Sequence, residues 1–287
     1  MIRFFSKISL SIFAFEVIIT LFSVVAYPSE QDSTLHYPLK IPVKQEWSFS
    51  GLFGKWDQGQ LQRGFKIYVE VCGACHSLDL VSYRNLEQLG YSEAQVKEFA
   101  SEYTVVDGPN DDGEMFDRSA QPSDFFSSPY ENKKAAISSN NGALPPDMSL
   151  LAKARAPSRG GLSFILDLFT IYAEHGPDYI YSLLTGYQDA PEGTNIDENL
   201  YYNPYYIGGD ALAMAPPLYD QLISYDDGMP ETVDQYAKDI SAFLMWTAEP
   251  GLAARKQRGF VVILFLMTFA GLVYYTKKRI WSNVVHC

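Results

Sequence analysis

The chain has 287 residues and a formal net charge of −12, with 34 acidic against 22 basic side chains. This length can bury one sizeable core or two small ones, and the acidic balance excludes nucleic acid as a natural partner and disfavours anionic lipid surfaces. Three cysteines are present, two of them three positions apart and the third at the last residue, so no disulfide framework is indicated.

The N-terminal segment has the pattern of an export signal. Two basic residues precede a mostly apolar run over 8–25, and Ala26 follows at a plausible cleavage point. We therefore predict that residues 1–26 are a signal peptide and that the chain beyond them is exported. Because the run is long and contains Glu16, an uncleaved N-terminal anchor stays an alternative, and it exports the same domain.

The first half of the exported region is predicted to hold two helices among long loops. The chain is expected to be extended to about residue 54 and helical over 60–71, where apolar residues recur on one face. Ser92 is a candidate N-cap, followed by Gln at the capping-box position, for a short helix over 92–102. The segment from 106 to 149 is rich in Gly, Pro, Asp and Asn and is expected to be loop.

The second half is predicted to be more helical. Apolar periodicity indicates helices over 162–174, 178–184 and 230–246, and the last begins at Pro230 and has a continuous apolar stripe. Strand patterns are scarce. The expected fold is mainly α, with long loops around a cofactor that supplies much of the core, in a domain over 27–254.

The C-terminal region has the pattern of a membrane anchor. Residues 259–275 contain no charge, and interfacial aromatic residues and basic clusters flank them, so 255–280 is predicted to be a transmembrane helix. Residues 281–287 would form a short cytoplasmic tail. Basic residues are balanced on both sides, so the export signal decides the orientation. A buried core helix is the alternative.

The sequence Cys72-Gly-Ala-Cys75-His76 is the attachment pattern of a c-type haem. Two intervening residues place the thiols for the two haem vinyl groups, and the adjacent imidazole then reaches the iron. A redox dithiol would need a βαβ context, and a zinc site would need a second Cys/His pair. The sequence shows neither, so we predict one covalently bound haem c with His76 as an axial ligand.

The other axial ligand has several candidates. The exported methionines are Met115, Met148, Met214, Met229 and Met245, and a lone methionine is usually core filler. Met214 differs because it lies in an irregular segment whose two following prolines stiffen the backbone. A bis-histidine iron using His175 stays open from the local chemistry.

Seven blocks in chain order resemble the cytochrome c1 family, the haem-c subunits of the cytochrome bc1 complex (ubiquinol–cytochrome c oxidoreductase). They lie at 63–76, 107–116, 141–147, 181–187, 214–219, 225–228 and 246–250. The resemblance covers nearly the whole exported chain. It implies a cytochrome c-like haem domain with one C-terminal transmembrane helix.

The resemblance also implies roles for single residues. Met214 would be the sixth iron ligand, Arg155 would pair with a haem propionate, and Pro146 would pack near the haem. A segment over 156–172 departs from shorter members of the family, so Arg159 rivals Arg155 for the propionate.

The implied function is electron transfer without an independent catalytic site in this chain. The chain would take an electron from the Rieske iron–sulfur protein and reduce a soluble or membrane-bound cytochrome c. Cytochrome b would be its other partner in the complex, and the haem domain would lie on the periplasmic side of the inner membrane. An acidic loop (Asp107, Asp111, Asp112, Glu114, Asp117) would either steer a basic partner or only keep the domain soluble. The alternatives are a peroxidase-like haem enzyme, another membrane-tethered electron carrier, or a tethered sensor or assembly protein.

Overall fold

The computed structural model describes residues 38–157 and 174–282, and helices dominate this part of the chain. The α-helices are α1 (Gln58–Glu70), α2 (Glu93–Ser101), α3 (Lys133–Ser139), α4 (Leu151–Ala154), α5 (His175–Thr185), α6 (Val233–Ala248) and α7 (Leu252–Trp281). Two 3-10 helices cover Cys72–Ala74 and Tyr83–Leu89. The mainly α prediction is confirmed. The predicted signal peptide over 1–26 and nearly all of the predicted helix over 162–174 lie outside the described residues.

The helix ends follow the capping residues. Asp57 accepts a hydrogen bond from the amide of Gln60 at the start of α1, and Ser92 forms the predicted capping box with Gln95 at the start of α2. The last helix of the domain, α6, begins at Val233, not at Pro230. Its N-cap is Thr232, whose hydroxyl accepts from the amide of Gln235 and satisfies an otherwise unpaired donor.

The segment from 106 to 149 has more regular structure than the sequence predicted. Strands β1 (Thr104–Asp107) and β2 (Phe116–Ser119) form an antiparallel hairpin that pairs Val105 with Arg118, and α3 follows. Arg118 forms salt bridges with Asp107 and with Asp124, so the hairpin is closed by charge as well as by backbone pairing. A second hairpin joins β3 (Tyr201–Tyr202) to β4 (Ala211–Leu212). The strands of the first hairpin, β1 and β2, were not predicted because they are short and the residues between them are rich in Gly and Asp.

The core lies between α1 and α6. Phe65 and Tyr68 on α1 face Phe243 on α6, with ring centroids 5.8 and 6.0 Å apart, and Trp246 continues the contact along α6. All four side chains are buried. The predicted apolar stripe of α6 is therefore the face that packs, and α1, which leads into the cysteine motif, is fixed against it.

Residues 38–57, before α1, run along α5 without helical structure, as predicted. The amide of Val43 donates to Ser182 Oγ at 2.8 Å, and the amide of Gln45 donates to Asp178 Oδ1 at 2.9 Å. The indole of Trp47 donates to the same carboxylate oxygen at 2.9 Å. These bonds give the buried Asp178 polar partners and hold the segment in place.

The C-terminal helix α7 is 30 residues long, and its first two turns pack against the domain. Leu252 and Lys256 are buried there, whereas the apolar side chains from Phe260 to Trp281 are exposed. Within the described residues, α7 alone is long and apolar enough to cross a membrane. It contains the predicted 255–280 segment and extends it toward the N-terminus by three residues.

Candidate functional site

The cysteine motif forms one tight turn at the end of α1. The carbonyl of Cys72 accepts hydrogen bonds from the amides of Cys75 and His76, at 3.1 and 2.9 Å. Both cysteines are free, Cys72 being half-buried and Cys75 exposed. The turn therefore presents two thiols and the imidazole from consecutive positions, with no disulfide between the sulfurs.

The alternatives to haem attachment fit this turn poorly. Burial raises the pKa of the Cys72 thiol to about 12, which disfavours a thiolate at this position. In the parts of the chain that the structure describes, no group of three or more His, Cys, Asp or Glu side chains could hold a metal ion. A zinc centre at the cysteines would need such a group.

The imidazole of His76 is oriented by the loop that contains Pro146. His76 Nδ1 lies 2.8 Å from the carbonyl oxygen of Pro146, and because a carbonyl only accepts, Nδ1 carries the proton. The other ring nitrogen, Nε2, then keeps its lone pair. A backbone carbonyl on the far nitrogen is the usual device that fixes the tautomer of a metal-binding histidine.

Burial keeps this imidazole neutral. Desolvation lowers the pKa of His76, although its hydrogen bond with Pro146 and the negative charge of Asp147 act in the opposite direction. The neutral form is the one that can coordinate a metal.

The Pro146 loop is hydrogen-bonded to the residues that follow His76. The amide of Met148 donates to the carbonyl of Ser77 at 2.9 Å, and Asp147 Oδ2 accepts from Ser77 Oγ and from the amide of Asp79, at 2.9 and 2.8 Å. Asp147 was missed as a site residue by sequence reasoning. Its signal was its place in the Leu-Pro-Pro-Asp block, but a contact between segments about 70 residues apart is not visible in a linear pattern.

Tyr68 was also missed. Its hydroxyl donates to the carbonyl of His76 at 3.1 Å, from a buried position on α1. The sequence showed it only as one residue of an apolar helix face.

Met214 lies two residues beyond β4, in a segment with no helix. It is half-buried, and its carbonyl accepts a hydrogen bond from the hydroxyl of Tyr187 at 3.0 Å. Met245 instead is buried on α6, as expected for core filler. His175 is the first residue of α5, and the glycine after it packs directly on the carbonyl of Ala152 in α4.

Arg155 follows α4 directly and its side chain is exposed. Its positive charge acts on Tyr179, where burial, partly opposed by a backbone hydrogen bond with Ile207 and by Arg155, raises the pKa of the phenol to about 12. Among the described residues, Arg155 takes part in none of the salt bridges. Its rival Arg159 lies outside the described residues.

The structure thus brings four of the six predicted site residues into one cluster. Cys72, Cys75 and His76 share a turn, and Pro146 contacts His76. Met214 and Arg155 lie on separate segments: Met214 is bonded by Tyr187, two residues beyond α5, and the charge of Arg155 acts on Tyr179 of α5.

The sequence is similar to those of known proteins. Residues 47–284 match the Cytochrome C1 family. The chain is 44% identical over 259 residues to cytochrome c1 of Rhodospirillum rubrum, covering 85% of this chain and 88% of that protein. It is 51% identical over 259 residues to cytochrome b/c1 of Bradyrhizobium diazoefficiens, covering 89% of this chain but 38% of that longer protein. A mitochondrial cytochrome c1 haem protein of Arabidopsis thaliana is 43% identical over 263 residues, which cover 91% and 77% of the two chains.

The chain belongs to the cytochrome c1 family. Proteins of this family are the haem-carrying, electron-transfer subunits of the cytochrome bc1 complex, and each carries one covalently bound haem c. The family identification from seven sequence blocks is confirmed, and so is the predicted cofactor. The peroxidase-like alternative is not favoured.

Proposed function

We propose that this chain takes electrons one at a time from a Rieske iron–sulfur protein and passes them to a cytochrome c, in a complex with cytochrome b. The haem domain faces the periplasm and α7 anchors it in the inner membrane. The observation that carries the proposal is the Cys72–His76 turn, whose imidazole is aimed by the 2.8 Å hydrogen bond to Pro146 O.

The residues present fit a haem c. The turn offers two uncrosslinked thiols and a neutral imidazole. Leu144 and Leu150, on either side of Pro146, have 45 and 50% of their surface exposed. A flat aromatic group seated against this loop would remove that apolar surface from water, which is favourable.

Each side chain then has one task. Cys72 and Cys75 would hold a haem through thioether bonds, His76 Nε2 and the Met214 sulfur would bind its iron, and Arg155 would pair with a propionate. Arg155 suits that task because it is exposed, and a propionate charge close to protein needs a cation. When bound, haem c supplies a one-electron redox couple, and a thioether axial ligand raises its potential.

A closed iron favours electron transfer over catalysis. A haem iron bound by both His76 and Met214 would have no open position for oxygen or peroxide, which a peroxidase requires. The acidic loop supports a basic cytochrome c as the acceptor. Asp107 is paired with Arg118, but Asp111, Asp112, Glu114 and Asp117 remain exposed and can speed association by attraction.

Met214→Leu tests the proposal in the isolated complex. Leucine keeps the volume and apolarity of the side chain, so the fold should hold while the iron loses its thioether. We expect the near-infrared sulfur-to-iron band to disappear, carbon monoxide to bind, and the potential to fall by on the order of a few hundred millivolts. Reduction of cytochrome c by quinol should then slow, as measured by stopped-flow absorbance.

Met245→Leu is the matched control. Met245 is 1% exposed on α6, so the same substitution changes core packing without touching the segment of Met214. It should leave the band, the carbon monoxide response and the potential unchanged. A closed, high-potential haem in Met214→Leu would show that another residue is the ligand, with His175 the next position to test.

A further inference from the structure

The segment that carries Met214 is anchored up to β4 and then runs almost unsupported. The side chain of the buried Asn203 donates from Nδ2 to the carbonyl of Leu183 at 2.7 Å. The backbone amide of Asn203 donates to the carbonyl of Asp210 at 2.8 Å. These bonds fix the β3–β4 hairpin on the end of α5. Both prolines that follow Met214 lack an amide donor, so this stretch has few ways to be held.

Tyr187 forms a hydrogen bond with Met214 itself. Its hydroxyl donates to the carbonyl of Met214 at 3.0 Å from a position two residues beyond the end of α5. Within 38–157 and 174–282, residues 214–217 make no other hydrogen bond. The carbonyl is one bond from the α-carbon, so fixing it limits how far the side chain can swing.

The Met214 segment borders an open groove, so the hydrogen bond from Tyr187 restrains a segment that has space to move into. A groove of about 500 Å³ lies against the segment, and Tyr187, Tyr201 and Pro216 are among its lining residues. A segment released from Tyr187 therefore has room to move.

We propose that Tyr187 is a positioning residue that keeps the Met214 sulfur on the iron by holding the Met214 carbonyl. The inference rests on the proposed function, because it takes Met214 to be the sixth ligand. It predicts that the hydroxyl of Tyr187, and not the bulk of its ring, sets how easily an outside ligand displaces the thioether.

Imidazole titration of the ferric haem in the isolated complex tests this directly, with loss of the sulfur-to-iron band as the readout. Tyr187→Phe removes the hydroxyl and keeps the ring, so the chain should fold. Losing an ordinary hydrogen bond shifts the balance between closed and open iron by about three- to tenfold, and the apparent imidazole affinity should rise by the same factor.

Tyr201→Phe is the control, since Tyr201 lines the same groove and lies near Tyr187 but makes no hydrogen bond to Met214. Its imidazole affinity should equal that of the wild type. Equal affinity in Tyr187→Phe and wild type, or the same rise in both variants, would overturn the proposal. Met214→Leu separates this failure from the larger one: if that variant has an open iron, Met214 remains the ligand whatever Tyr187 does.

Discussion

Asp239 shows how one side chain can hold three parts of the haem domain together. It is fully buried on α6 and receives hydrogen bonds from α1, from α6 and from the loop after Met214. The donors are Gln60 Nε2, Arg63 Nε and Nη2, Tyr225 Oη and Gln235 Nε2. A buried carboxylate is tolerated only with such partners. Burial alone would lower the pKa of Arg63, but hydrogen bonds and attraction to Asp239 and Asp227 raise it, so the guanidinium stays charged.

Asp239→Asn should therefore destabilise the domain strongly. It removes the buried negative charge and leaves Arg63 with Asp227 as its remaining carboxylate, at 2.5 Å and more exposed. Breaking a buried pair costs about 3 kcal/mol, which corresponds to a Tm lower by roughly 6–12 °C. Circular dichroism melts of the detergent-solubilised chain measure it.

Glu70→Gln is the control for Asp239→Asn, because it removes the charge of a surface ion pair instead of a buried one. Glu70 and Lys66 form a 4.0 Å pair on the exposed face of α1, and such a pair is worth about 0.3–0.5 kcal/mol. Its Tm should change by roughly 1–2 °C at most. Equal shifts in the two variants would mean that the Asp239 network contributes no more than a surface pair.

Helix α1 approaches α6 closely because Gly64 has no side chain. A Cβ at this position would lie 2.3 Å from the carbonyl oxygen of Asp239 and 2.6 Å from Cβ of Phe243. Both atoms belong to a packed helix and cannot swing aside. The absence of one methyl group therefore sets the distance between the helix that leads to the haem motif and the core helix.

Gly64→Ala should destabilise the protein although alanine is the better helix former. The propensity gain is about 1 kcal/mol, whereas forcing two helices apart costs about 3 kcal/mol, so a net loss of about 2 kcal/mol is expected. Gly59→Ala on the same helix should have the opposite sign, because its Cβ would lie 3.4 Å from Asp57 Oδ1, an ordinary contact. Thermal melts compare the two. A gain of stability in Gly64→Ala would show that α1 can move without cost.

At the scale of the whole molecule, a buried ion pair joins the membrane helix to the haem domain. Lys256 Nζ donates to Glu174 Oε1 at 2.6 Å and to the carbonyl of Phe49 at 3.1 Å, and the Lys256 and Glu174 side chains are 5 and 0% exposed. The first turns of α7 are thus part of the domain fold. The boundary that the sequence suggested at residue 254 cuts through this contact.

Two truncations that both lack the apolar run should therefore differ in stability. A chain ended at Arg258 keeps Lys256, whereas a chain ended at Ala254 leaves the buried Glu174 without it, at a cost of about 3 kcal/mol. We expect both to leave the membrane fraction and the longer one to melt roughly 6–12 °C higher. Lys256→Met in the longer chain should remove that advantage. Identical melts of both fragments would show that the pair contributes nothing to the domain.

Much of the architecture could be predicted because its signals are local. Apolar periodicity predicted α1 and α6, the capping box predicted the start of α2, and charge-free length predicted α7. The β1–β2 hairpin and α3 were missed because short strands beside Gly-rich tips carry little periodic signal. The start of α6 was misplaced because Thr232, rather than Pro230, satisfies the first amides.

By itself the sequence determined the chemistry: a Cys-x-x-Cys-His turn requires only neighbouring residues and predicts haem c, and seven ordered blocks identify the family. Only the tertiary structure decided how that chemistry is held. Pro146 on His76, Tyr187 on Met214 and Lys256 on Glu174 join residues 70, 27 and 82 positions apart. These contacts form because a buried polar group, or one held in a fixed orientation, needs a hydrogen-bond partner. Which distant residue supplies it depends on how the helices pack, and no local pattern records that.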